Sequence, residues 1–81
     1  MRKEFQEDWS GKRVAVIGLG ISNLALIRFL KEAGAHLSGR DLKTGSELGE
    51  RLNELESLDI ELLLGPDYLS SLTDFDVVVV S

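Results

Sequence analysis

The residues best placed to do chemistry form a short glycine-rich segment, Gly18-Leu19-Gly20-Ile21-Ser22-Asn23. Such a segment can hold phosphates when it follows a strand and opens a helix. Gly18 then permits a tight turn, and Gly20 lets a phosphate approach the backbone. The helix that follows adds N–H groups without partners, and Ser22 can add a hydroxyl donor or cap that helix. The pattern predicts a phosphate-binding loop, with a tight turn that binds nothing as the alternative.

An acidic residue stands where nucleotide-binding domains often have one. Asp41 lies 21 residues after Gly20, at the end of the second predicted strand, and a carboxylate there commonly accepts hydrogen bonds from ribose hydroxyls. The alternative is a carboxylate that caps a helix or orders a loop. Arg40 and Lys43 flank it and are candidates for contact with a phosphate or base, although isolated surface cations are more often solvated.

Asn23 occupies the third glycine position of the dinucleotide-binding fingerprint. Glycine at that position allows close packing of the helix on the strand. Asparagine there predicts either a wider gap between helix and strand or a left-handed backbone conformation.

Catalytic and metal sites are not indicated. His36 is the only histidine, and the sequence around it contains no convincing nucleophile–base pair. The carboxylates between Glu47 and Glu61 have the spacing of a solvated helix face. The sequence contains no cysteine, no metal-ligand spacing and no G-x-x-x-x-G-K-[ST] segment that would bind ATP. We therefore expect a binding domain that is inactive by itself.

The elements that must position these residues alternate along the chain. Apolar runs predict strands near 13–17, 36–40, 60–64 and 76–80, the last fully buried. Helical spacing of apolar residues predicts helices near 22–34 and 46–57, and shorter helical turns within 1–12 (with Phe5 and Trp9 four residues apart) and at 68–72. Strands that alternate with helices predict an α/β, Rossmann-like parallel sheet of about four strands in the order 3-2-1-4.

Composition narrows the possible partners and compartments. The chain has 81 residues, 9 basic against 14 acidic side chains and a net charge of −5, which argues against nucleic-acid binding. No apolar run approaches the roughly 20 residues that span a bilayer, and no signal peptide is visible. We expect a cytoplasmic protein. Because the sequence stops one residue after a predicted core strand, we also expect 1–81 to be an incomplete domain of a longer chain.

Several segments together resemble the Mur ligases, in particular those that add D-glutamate in peptidoglycan synthesis. The run from Gly11 to Ser22 is similar to their opening pattern G-K-x-V-x-V-x-G-L-G-x-[ST]-G. Further similarities are Arg28-Phe29-Leu30, Asp41, Leu64-Gly65 and the strand that ends at Ser81. The resemblance covers nearly the whole chain.

The resemblance implies a UDP site in the first domain of a three-domain enzyme. Ile21 and Ser22 would contact the diphosphate of UDP-N-acetylmuramoyl-L-alanine, largely through backbone N–H groups. Asp41, Leu42 and Lys43 would surround the uracil and ribose, and Ser81 would lie near the same pocket. Leu42 stands where a small polar residue is frequent, which argues against a side-chain hydrogen bond to uracil there. ATP and Mg²⁺ would bind the central domain, and the C-terminal domain would recruit the amino acid.

Two other functions fit the same residues. Gly18, Gly20 and Asp41 would equally serve an NAD-binding module of a dehydrogenase or of an ion-transport regulator. The second of these functions is that of an α/β interaction domain that binds no nucleotide.

Overall fold

Strands and helices alternate along the chain as the hydrophobic pattern predicts. The computed structural model describes residues 8–80. Its regular elements, in chain order, are β1 (Arg13–Ile17), α1 (Ile21–Glu32), β2 (His36–Asp41), α2 (Gly45–Leu48), α3 (Glu50–Ser57), β3 (Glu61–Leu64) and β4 (Val77–Val80). A 3-10 helix, Leu72–Asp74, lies in the connection from β3 to β4.

The strands form one parallel sheet in the order β3-β2-β1-β4. In its register Val16 lies beside Gly39 of β2 and Val79 of β4. The class, the strand order and the parallel pairing confirm the Rossmann-like prediction. In such a sheet the carboxyl ends of all strands meet at one edge, and the segments that follow β1 and β2 therefore lie side by side.

All three α-helices pack on one face of this sheet. Since side chains alternate between the two faces of a strand, Val14 and Val16 point to the same side as Val77 and Val79. The buried members of this core are Val14, Val16, Leu19, Leu24, Ile27, Leu30, Ala35, Leu37, Leu48 and Leu55. The core therefore holds the helical stripe predicted in α1, and it fixes α1 directly behind the glycine loop.

The opposite face is covered in part by the connection between β3 and β4. Its backbone carbonyls accept hydrogen bonds from Arg40 on β2. Farther along that face, Val78 is 39% and Val80 70% exposed, so the prediction of a fully buried fourth strand was wrong. Four consecutive valines predict a strand, but they do not show whether one face or both will be covered.

The second predicted helix is interrupted. Gly49 has φ 62° and ψ −129°, a conformation that glycine adopts readily and other residues rarely. It separates α2 from α3, where the sequence had indicated one helix over 46–57. At the start of α2, Thr44 and Glu47 form a capping box, in which the side chain of each residue accepts a hydrogen bond from the backbone N–H of the other.

The predicted N-terminal helical turn is only partly within the described residues, since Phe5 lies outside them. Trp9 is half-buried and packs against the core, and the Lys12 ammonium lies 5.4 Å from its ring centroid. Residues 8–12 make a turn, closed by a 3.1 Å hydrogen bond from the Lys12 N–H to the Trp9 carbonyl, rather than a helix. Within residues 8–80, no helix is both long and apolar enough to cross a membrane.

Candidate functional site

The glycine loop joins the carboxyl end of β1 to the first turn of α1. Gly18 has φ 95°, so only glycine is unstrained at this turn. Its N–H donates to the Arg40 carbonyl of β2 over 2.8 Å, which continues the pairing of the two strands into the loop. The tight turn predicted at Gly18 is thus present, and it lies directly beside the end of β2.

Gly20 differs from Gly18 because its backbone does not require glycine. Its φ of −78° and ψ of 177° are available to any residue, and a Cβ added there would meet nothing within 4 Å. The glycine therefore leaves open space at the N-terminus of α1. The first N–H groups of an α-helix have no intrahelical partner. Among the described residues no side chain caps α1 either.

Ile21 and Ser22, the first residues of α1, border the same space. Ile21 is 78% exposed, and Ser22 is exposed as well. An open space beside uncapped N–H groups, at the positive end of a 12-residue helix, can accept an anion such as a phosphate.

Asp41 holds the loop from the neighbouring strand. Its Oδ2 accepts a hydrogen bond from the Leu19 N–H over 2.8 Å, and its Oδ1 accepts one from the Lys43 N–H over 2.9 Å. This is the loop-ordering role that the sequence offered as an alternative. Each oxygen has a further lone pair, and contact with a ribose stays a prediction.

Asn23 is helical and nearly buried, at 9% exposure, so a left-handed conformation was the wrong expectation. Its Nδ2 donates to the Gly18 carbonyl over 2.7 Å. The side chain thus folds back onto the loop, a role that the glycine of the fingerprint could not have. The sequence offered no signal for this hydrogen bond beyond the unusual residue itself.

Leu42 and Lys43 follow β2 at the same edge of the sheet. Both side chains are exposed, Leu42 at 60%. The structure thus brings Gly18, Gly20, Ile21, Ser22, Asp41, Leu42 and Lys43 to the carboxyl edge formed by β1 and β2. β4 reaches this edge too, because Val80 pairs with Ile17. Ser81, the remaining predicted contact, lies outside the described residues.

Arg40 does not belong to this edge. It is only 2% exposed and turns to the face of the sheet opposite the helices, so the favoured prediction of a solvated surface cation was wrong, and its side chain does not border the glycine loop. Its Nε donates to Ser38 Oγ over 2.8 Å, and its Nη1 donates to the Tyr68 and Ser70 carbonyls over 3.0 and 2.6 Å. The Phe75 ring centroid lies 5.2 Å from its guanidinium. The contacts with Tyr68, Ser70 and Phe75 were missed because they join residues about thirty positions apart.

A cavity of about 390 Å³ lies beside Arg40 on that second face. Arg13 and Arg40 line it together with Glu61, Asp74 and Phe75, so charges of both signs border it. It lies between the strands β1, β2 and β3 and the connection from β3 to β4, and none of its lining residues belongs to the glycine loop.

Comparison with known proteins gives consistent matches over this chain. The family model described as "Mur ligase MurD-like, N-terminal domain" matches residues 12–81. The UDP-N-acetylmuramoylalanine–D-glutamate ligase of Clostridium perfringens is 49% identical over 75 residues, which cover 93% of this chain and 16% of the relative. The enzyme of the same name from Ruminiclostridium cellulolyticum is 42% identical over 76 residues, covering 94% of this chain and 16% of the relative. The chain thus spans about one sixth of the length of these relatives, and no solved structure matches it significantly.

Proposed function

Since the chain belongs to the family of MurD-like Mur ligase N-terminal domains, we propose that it binds the UDP part of UDP-N-acetylmuramoyl-L-alanine. The observation that carries the proposal is the open space at Gly20, where a Cβ would meet nothing within 4 Å at the uncapped N-terminus of α1. A diphosphate placed there would accept hydrogen bonds from the N–H groups of the first turn. This arrangement explains how a chain with a net charge of −5 can bind an anion.

The nucleoside would lie over the end of β2. Asp41 would accept a hydrogen bond from a ribose hydroxyl through a lone pair that Leu19 and Lys43 leave unused. Leu42, at 60% exposure, would pack on the uracil ring, so that the polar contacts to the base come from backbone groups. Lys43 and Ser81 would complete the pocket.

The ligation would use parts of the protein outside this chain. The relatives are named as ligases that act on D-glutamate, and we propose a cytoplasmic parent enzyme of that kind. There, ATP with Mg²⁺ would phosphorylate the substrate carboxylate, and the D-glutamate amine would displace the phosphate to form an amide. The part played by residues 8–80 in this reaction is to bind and orient the substrate.

A direct comparison of ligands tests the proposal. In an NMR titration of the 81-residue chain, UDP should shift the amide signals of 18–22 and 41–43 at a lower concentration than NAD. Gly18, Gly20 and Asp41 also suit NAD, and tighter binding of NAD than of UDP would therefore contradict the proposed UDP site. Equal shifts distributed over the whole chain would show that neither ligand has a site.

A chimera tests the function of the parent. This chain would replace the matching 75-residue stretch of the Clostridium perfringens ligase, and D-glutamate addition would be measured. We expect activity to be retained in the chimera and lost when Gly20→Val is added. A chimera that binds ATP but has no ligase activity would contradict the proposal.

A further inference from the structure

The peptide group between Gly18 and Leu19 is held at both ends by side chains. At its carbonyl end, Asn23 Nδ2 donates to the Gly18 oxygen over 2.7 Å. At its amide end, the Leu19 N–H donates to Asp41 Oδ2 over 2.8 Å. The two side chains come from different elements, α1 and β2, and both approach the same peptide plane.

The orientation of this peptide decides where the following N–H groups point. Gly18 lacks a side chain and sits at φ 95°, so local sterics restrict its rotation less than at any other residue type. The next two residues lead directly into the N-terminus of α1, where the diphosphate would bind. A loop already fixed in this orientation loses less conformational entropy when the ligand arrives.

We propose that Asn23 is a positioning residue, which locks the Gly18–Leu19 peptide together with Asp41 in the orientation that binds phosphate. The choice of ligand rests on the proposed function, but the lock itself does not. In this scheme Asn23 does not touch the ligand. Its 9% exposure and its bond to Gly18 place its amide behind the loop.

The test compares two variants of the same helix. Asn23→Ala removes the amide but keeps a good helix former. Ile27→Val removes one buried methyl group a turn farther along α1, where Ile27 is fully buried, and serves as a control for general destabilisation. Two quantities are measured: the UDP dissociation constant by calorimetry, and the hydrogen-exchange rate of the Leu19 amide relative to that of Val16 in β1.

In Asn23→Ala we expect the UDP dissociation constant to rise about fivefold, because the variant loses one hydrogen bond that contributes about 1 kcal/mol. The exchange rate of the Leu19 amide should rise by a similar factor relative to that of Val16. Ile27→Val should change neither the dissociation constant nor the exchange ratio. Unchanged values in Asn23→Ala, or equal changes in both variants, would overturn the proposal.

Two further outcomes distinguish a failure of the lock from a failure of the proposed function. If the unmodified chain binds no UDP, the proposed function fails, and the Leu19 exchange ratio alone decides whether the lock exists. If Asn23→Ala does not fold, Asn23→Leu replaces it, because leucine is close to asparagine in shape and is a good helix former. Leucine cannot donate to Gly18, so the Leu19 exchange ratio should rise there as well, and an unchanged ratio would refute the lock.

Discussion

Replacing Arg40 by methionine should remove the two side-chain hydrogen bonds by which β2 holds the β3–β4 connection. The guanidinium makes three hydrogen bonds, to Ser38 Oγ and to the Tyr68 and Ser70 carbonyls, and it lies 3.6 Å from a Glu61 carboxylate oxygen. Methionine is shorter than arginine, but it is flexible and can still pack against Phe75. The substitution therefore removes the charge and the hydrogen bonds while it conserves most of the buried volume.

The expected loss is about 3 kcal/mol in the free energy of unfolding. Hydrogen bonds from a charged donor contribute roughly 1.5–3 kcal/mol each, which alone would give a larger figure. Burial of the guanidinium carries a desolvation penalty that methionine avoids, and this reduces the expected loss. A chain of this length has a total stability of only about 4–12 kcal/mol, so the loss would be a large fraction of it.

Urea unfolding followed by circular dichroism measures this loss. Arg28→Met is the matched control, because Arg28 pairs with Glu54 on the surface and the two side chains are 49% and 46% exposed. Such a pair contributes roughly 0–1 kcal/mol. If Arg40→Met costs less than about 1 kcal/mol, or no more than Arg28→Met, the role assigned to the buried guanidinium is wrong.

Four other substitutions test the loop, the core and a helix cap. Gly20→Val should abolish UDP binding in calorimetry and lower the free energy of unfolding by about 1 kcal/mol or less. Gly18→Val should unfold the loop, because valine is strained at the positive φ of Gly18. Equal losses of stability in the two variants would refute this distinction. Leu55→Ala should cost about 2–5 kcal/mol in urea unfolding because its side chain is fully buried, and a cost below about 1 kcal/mol would show that Leu55 does not belong to the core. Thr44→Ala should cost about 1 kcal/mol through loss of the capping box, with UDP affinity unchanged.

Much of the fold could be predicted because its signals are local. The apolar run at 13–17, the helical stripe of Leu24, Ile27 and Leu30, and the glycines between them are visible within about twenty residues. Each depends on a periodicity that the backbone imposes. Chain connectivity and the parallel arrangement then allow few strand orders, and the predicted order 3-2-1-4 is the observed one. The glycine loop was found for the same reason, since its residues are consecutive.

Only the tertiary structure decided the partners of the polar side chains. Arg40 stands next to Asp41 in the sequence, yet the alternation of a strand sends the two to opposite faces, one to the buried network and the other to the loop. The sequence did not explain the asparagine at position 23, whose amide donates a hydrogen bond to the Gly18 carbonyl in the folded chain. The exposed valines of β4 were unpredictable because burial depends on which elements reach each face. A sequence carries the period of a strand or helix, but the partners of a polar group are set by segments distant along the chain, whose positions only the packed structure defines.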